Sequence, residues 1–190
     1  MNNAPKFILA SSSPRRKDIL SKMGITFEVI PSNFDEHKIF ESTPQKLVKR
    51  LSQEKANTIH DENAVVIAAD TIVIKGGRRF SKPETAENAI AMLKELRGVW
   101  HDVYTGVTVT YKGKAISFVE KSRVKLKDLS DEQIERYVDE YKPLDKAGAY
   151  GIQDDAVVSE YKGSYSNIVG LPREKLAEAL EKFGVFYGVH

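Results

Sequence analysis

The chain has 190 residues, a formal net charge of +2 and no Cys. Hydrophobic residues make up 41% and charged residues 29%, an ordinary globular mixture long enough for its own core, which excludes disorder. Disulfides, thiolate chemistry and Cys-bound zinc are excluded, and so small a net charge gives no broad field for holding nucleic acid. The start, residues 1–6, is short and polar, and no apolar run approaches membrane-spanning length. These features read as a soluble, cytoplasmic protein with no membrane partner, folded as a single domain over residues 1–190 without repeats or a linker.

Strand-like and helix-like segments alternate, which predicts an α/β fold. Residues 7–10 read as a short buried strand, Ser13 as an N-cap, Pro14 as a first helical residue and Gly24 as a helix stop. Residues 25–31 read as a second strand. Thr43 and Pro44 repeat the cap-plus-proline start, and Leu47, Val48, Leu51 and Ala56 give that helix an apolar side. Residues 64–74 form an apolar, β-branched strand interrupted by Asp70 and Thr71, and the chain then turns at Gly76 and Gly77. Thr85 caps a helix ending near Gly98, and residues 103–111 and 114–127 read as strands joined at Lys112 and Gly113. Ser130 and Gln133 have capping-box form and open a helix to about Tyr141. Residues 156–161 are a candidate strand, and a last helix opens at Leu171 and Pro172 and stops at Gly184. The segments 31–42, 76–84, 142–155 and 162–171 are expected to be loops.

Four polar clusters interrupt this pattern. Ser11, Ser12 and Ser13 followed by Arg15 and Arg16 join a strand to a helix start, where unpaired N–H groups and the positive dipole end suit phosphate. Neighbouring helical residues diverge, so at most one of the two arginines lies directly over a bound anion. Asp70 interrupts an apolar strand, where a carboxylate is costly without a cation or several donors, so it is a candidate to hold a metal or orient water. Lys55 on the second helix and Lys82 before Pro83 are phosphate clamps only if the fold brings them to such a site. Residues 145–155 set two glycines around Tyr150 and Gln153, whose amide both donates and accepts and so suits a base edge. Each cluster alone also reads as an ordinary cap, strand end, surface lysine or turn-rich loop. No P-loop, no dinucleotide glycine fingerprint, no nucleophile elbow and no metal-ligand spacing among His37, His60, His101 and His190 is present.

Taken in order, the segments resemble one family. Residues 9–16, 34–36, 55–56, 69–71, 82–83, 104–107, 145–153, 163–167 and 170–172 resemble the Maf (septum-formation) nucleoside triphosphate pyrophosphatases over nearly the whole chain. The resemblance implies an elongated mixed sheet flanked by helices, with two lobes and a central cleft, akin to inosine triphosphate pyrophosphatases. It implies hydrolysis of a nucleoside triphosphate to the monophosphate and pyrophosphate with Mg²⁺, Mn²⁺ or a similar divalent cation, and it allows a homodimer. Asp70 falls at the family's proton acceptor, and Arg15, Thr71 and Gln153 fall at its base-selecting positions, in the form of the branch acting on dTTP and UTP. Glu36 and Asp70 are the candidate metal shell, and Ser11, Ser13, Arg16, Lys55 and Lys82 the candidate phosphate contacts. Two residues depart from the pattern: Ser81 and Asp154 stand where the family usually has Gly. If position 154 takes a positive φ, Asp is tolerated at some cost, and its charge lies near the proposed site. The competing readings are a non-catalytic nucleotide-binding regulator of cell division and a pyrophosphatase for a modified nucleotide such as 7-methyl-GTP.

Overall fold

The computed structural model describes residues 5–185 and 187, so residues 1–4 and His190 of the sequence reading lie outside the described residues. The chain runs β1 (Lys6–Leu9), α1 (Pro14–Lys22), β2 (Phe27–Val29), α2 (Pro44–Asn57), β3 (Ala64–Lys75), β4 (Arg78–Phe80) and α3 (Ala86–Leu96). It continues through β5 (Trp100–Tyr111), β6 (Lys114–Leu126), α4 (Asp131–Tyr141), β7 (Val158–Lys162), α5 (Tyr165–Val169) and α6 (Arg173–Lys182). The strands form one mixed seven-stranded sheet in the order β2-β1-β3-β5-β6-β7, with β4 paired to β3. β1 is parallel to both β2 and β3, whereas β4 is antiparallel to β3 and β7 to β6. Helices flank the sheet, and none among the described residues is long and apolar enough to cross a membrane.

The α/β alternation follows the sequence reading, with four differences. Residues 76–84 are not all loop, because Gly76 and Gly77, both at positive φ, close a hairpin into β4. Residues 162–171 contain α5, and β5 begins at Trp100 rather than at Val103. Tight 3-10 turns at Pro143–Asp145, Ala147–Ala149 and Ile152–Asp154 replace the open loop expected over residues 142–155.

The backbone groups into two compact units. The first takes the chain through Asp70, then Thr105–Glu120 and everything from Gly170 on; the second takes Thr71–Tyr104 and Lys121–Val169. In the first unit, one face of the parallel strands contributes Ile8 and Ala10 from the β1 row and Ala64, Val66 and Ala68 from β3. Ala56 of α2 completes this cluster. Strand side chains alternate between faces, so the β3 row that meets α2 continues to Asp70. Two further contacts fix α2. A Cβ on Gly106 of β5 would lie 2.2 Å from the Val48 carbonyl oxygen, so only glycine lets the helix backbone come this close. One turn along, Ser52 Oγ lies 2.8 Å from Thr108 Oγ1, which lies 2.9 Å from Ser117 Oγ, joining α2 to the β5–β6 hairpin through buried hydroxyls.

In the second unit, Ala89, Leu93 and Leu96 of α3 and Ile134, Tyr137 and Val138 of α4 present helix-spaced apolar faces. They pack with Val73, Phe80, Val103, Val124, Tyr150 and Val157. Both helices start where local chemistry dictates. Thr85 Oγ1 accepts from Asn88 N, and Ser130 and Gln133 form a complete capping box. Within this core His101 Nε2 lies 2.7 Å from the Tyr150 hydroxyl. Burial pulls the His101 imidazole down to about 4 from the ordinary 6.5.

Two outcomes are expected. Gly106→Ala forces α2 off the sheet and destabilises the protein by about 3 kcal/mol or more, read as a large fall in Tm; an unchanged Tm would contradict the close approach. For His101, a folded-state value below the unfolded one means that its share of stability is complete above pH 6.5 and is lost as pH falls toward 4. Between pH 7 and pH 5 that share is about 2 kcal/mol. Urea unfolding at both pH values should show a shallower loss in His101→Phe than in the parent protein, and parallel slopes would refute the neutral buried imidazole.

Candidate active site

The first unit gathers seven of the ten predicted site residues. β1 ends at Leu9, whose parallel partner Ile67 lies three residues before Asp70, so Asp70 emerges just past the carboxyl end of β1. Asp70 is 5% exposed and Lys55 is 9% exposed. Lys55 Nζ lies 2.6 Å from Asp70 Oδ1 and 2.6 Å from Glu36 Oε1. Lys55 is therefore no solvated surface charge: it is the cation that a carboxylate buried in an apolar strand requires. Glu36 arrives from a 3-10 turn, Glu36–Lys38, that follows β2. The second Asp70 oxygen, Oδ2, is buried with no hydrogen-bond partner among the described residues.

The Ser11–Arg16 turn supplies the remaining groups. Ser13 takes the N-cap position of α1, and Pro14 is the first helical residue, as its sequence indicates. The Ser13 side chain, however, makes no capping bond; instead Ser13 N donates to Ser11 Oγ at 3.2 Å. Arg16 is half-buried, and its guanidinium donates from Nη1 to Ser11 Oγ at 3.1 Å and from Nε to the Gly170 carbonyl at 2.8 Å. Burial lowers the Arg16 pKa, Asp70 raises it, Arg15 lowers it and Glu36 raises it. These four side chains thus belong to one electrostatic neighbourhood, which Lys55 joins through its pairs with Asp70 and Glu36.

The other three predicted residues belong to the second unit. Thr71 follows Asp70 in β3 and is half-buried, and Lys82 and Gln153 are exposed. The segments carrying the latter two are joined within this unit, because Gly148 N donates to the Ser81 carbonyl at 3.3 Å. That bond uses the backbone of Ser81, so the departure from Gly there leaves it intact. Asp154 is not at positive φ; the left-handed residue is Asp155, at 52°. Asp154 instead accepts a 2.6 Å hydrogen bond from the Tyr137 hydroxyl. In the 163–167 segment Asn167 Nδ2 donates to the Val103 carbonyl and to Ser122 Oγ, and a Cβ on Gly163 would lie 2.8 Å from that same hydroxyl.

Sequence reading missed the Tyr137 hydroxyl, and it named Gly170 within the 170–172 segment without the role of its carbonyl. Tyr137 reads as one more apolar position on the α4 face, and no local signal separates its hydroxyl from a core aromatic. Gly170, at φ 126°, could have been flagged as a bend that aims a carbonyl.

The chain matches the model of the Maf-like protein family over residues 6–183. It is 49% identical over 177 residues to a dTTP/UTP pyrophosphatase of Thermosipho africanus, covering 92% of each chain. It is 43% identical over 188 residues to a dTTP/UTP pyrophosphatase of Clostridium perfringens, covering 95% of this chain and 98% of that protein. Among solved structures, the Staphylococcus aureus Ham1 protein matches with a TM-score of 0.43 and 16% identity, over 65% of this chain and 72% of that one. By the extent of the family match and the identity of these relatives, the chain belongs to the Maf family.

Proposed function

We propose that this chain hydrolyses nucleoside triphosphates, dTTP and UTP before others, between the α and β phosphates, releasing the monophosphate and pyrophosphate in the cytoplasm. One observation carries the reading: a buried Asp70 with one oxygen tied to Lys55 and the other without a hydrogen-bond partner among the described residues. A buried acceptor left unsatisfied costs about 1–3 kcal/mol, and such an oxygen fits the acceptor of a water proton or a ligand to a cation. The names of the relatives supply the reaction class.

A divalent cation fits this donor set. Mg²⁺ is commonly held by one or two carboxylates together with substrate phosphates rather than by a protein cage. Among the described residues no group of three His, Cys, Asp or Glu forms such a cage. Glu36 and Asp70 would hold the ion, which when bound would offset phosphate charge and acidify water.

The chain's own groups do the rest. Asp70 Oδ2 accepts the proton of the attacking water. The water oxygen bonds to the α phosphorus while the bond to the bridging oxygen breaks, and that electron pair leaves with pyrophosphate. Lys55 holds Asp70 in orientation and, with Arg16, Lys82 and the Ser11–Ser13 helix start, offsets the charge on the phosphates. Gln153 accepts from N3–H and donates to O4 of uracil or thymine, with Arg15 and Thr71 completing the selection.

Purified protein given Mg²⁺ and a panel of triphosphates is expected to release pyrophosphate, with the highest kcat/KM for dTTP and UTP. Asp70→Asn should lose roughly 10²–10⁴ in kcat while remaining folded at the assay temperature, although with a lowered Tm because the buried pair loses its anion. Near-normal turnover removes Asp70 from the chemistry, a purine preference defeats the base assignment, and release of inorganic phosphate alone defeats the choice of bond.

A further inference from the structure

Gln153 is exposed at the tip of the 152–154 turn. An exposed glutamine has three rotatable bonds and an amide that can flip, so by itself it reads a base edge poorly. The sense of the amide decides which pyrimidine it reads. Uracil and thymine offer a donor at N3 and an acceptor at O4; cytosine offers an acceptor at N3 and a donor at N4. A flipped Gln153 carboxamide therefore fits cytosine as well as the unflipped one fits uracil.

The space over Gly151 borders this side chain, and Asp154 and Tyr137 border Gly151. Tyr137 lies on α4, is 4% exposed and stacks on Tyr141 with ring centroids 4.9 Å apart. Its hydroxyl donates to Asp154 Oδ2 at 2.6 Å and accepts from Gly151 N at 3.1 Å. Burial and then Asp154 raise the Tyr137 hydroxyl above its ordinary pKa, so it stays a donor. Gly151 has an extended backbone, φ −119° and ψ 130°, that any residue can adopt. What singles it out is the space above it: a Cβ there would lie 2.8 Å from Asp154 Oδ2 and 2.9 Å from Gln153 Nε2. The carboxylate and the amide nitrogen thus border the same spot over the Gly151 α carbon. A carboxylate only accepts hydrogen bonds, so although no direct bond joins the two side chains among the described residues, its charge favours nitrogen at the neighbouring end of the amide.

We propose that Asp154, oriented by Tyr137 and seated over Gly151, is a positioning residue that holds the Gln153 carboxamide in the sense matching uracil and thymine and opposing cytosine. The inference rests on the reading in which Gln153 meets the base. It gives a role to the residue at which this chain departs from its family's usual glycine.

The test is the ratio of kcat/KM for UTP to that for CTP. Tyr137→Phe, Asp154→Gly and Gly151→Ala should each lower it by about tenfold, the change falling mainly on KM. Asp154→Asn, whose carbonyl still accepts from Tyr137, should retain most of the ratio. Gly151→Ala is the variant least exposed to a folding defect, because the clashing atoms are the ends of flexible side chains and its backbone conformation suits alanine; its Tm should match the parent. Equal losses for UTP and CTP, or an unchanged ratio in all three variants while Gln153→Ala loses it, would overturn this inference alone. A parent enzyme without preference for UTP, or a Gln153→Ala variant that keeps the preference, would overturn the base assignment beneath it.

Discussion

The ion pair between Lys55 and Asp70 is the interaction on which the first unit turns. A carboxylate at the end of an apolar strand row is tolerable only if a cation meets it, and removing one partner of such a buried pair costs about 3–5 kcal/mol. The cation arrives on α2, and α2 can deliver it only because Gly106 lets the helix backbone lie against β5 and because Ser52, Thr108 and Ser117 lock the helix register. Each of these features is an ordinary device of packing. Together they hold a charged group still with one buried oxygen unsatisfied among the described residues, the kind of preorganisation a site needs before any substrate arrives.

Lys55 also bridges to Glu36, so one ammonium group contacts both carboxylates. Asp70 Oδ2, without a hydrogen-bond partner among the described residues, keeps a lone pair for a ligand, which an oxygen with a full set of protein donors does not. The Arg16 guanidinium adds the complementary half. It is tied down by Ser11 and by the Gly170 carbonyl, yet it remains within the field of both acids. In the second unit the same economy recurs at a smaller scale, with a buried tyrosine hydroxyl serving one carboxylate and one backbone N–H.

Local chemistry was legible in the sequence. The caps at Thr43, Thr85 and Ser130 form as their residues dictate, because each depends on neighbours within one turn. The long strand around Asp70 was legible from its β-branched run. β4 was not, because Arg78 and Arg79 are exposed and only Phe80 is buried, leaving no alternation to read. α5 spans five residues, too few for a helical period. Ser13 shows the limit of reading caps by position, since its place is right but a hydroxyl two residues earlier accepts the bond. The Ser11–Arg16 turn, Asp70, Lys55, Lys82 and Gln153 were legible as candidates from their residue types, whereas Glu36 and Thr71 and the family roles came only with the resemblance. The Lys55–Asp70 pair, 15 residues apart on different elements, and the Tyr137–Asp154 bond, 17 apart, depend on tertiary approach that no spacing rule contains.

A crystal structure of the protein with Mg²⁺ and a non-hydrolysable α,β-imido analogue of dUTP would test the central claim most directly. The account predicts the α phosphorus beside Asp70 Oδ2, with the outer phosphates among Arg16 and Lys55. An analogue bound well away from Asp70, with the Lys55 pairs undisturbed and Oδ2 still without a partner, would contradict it.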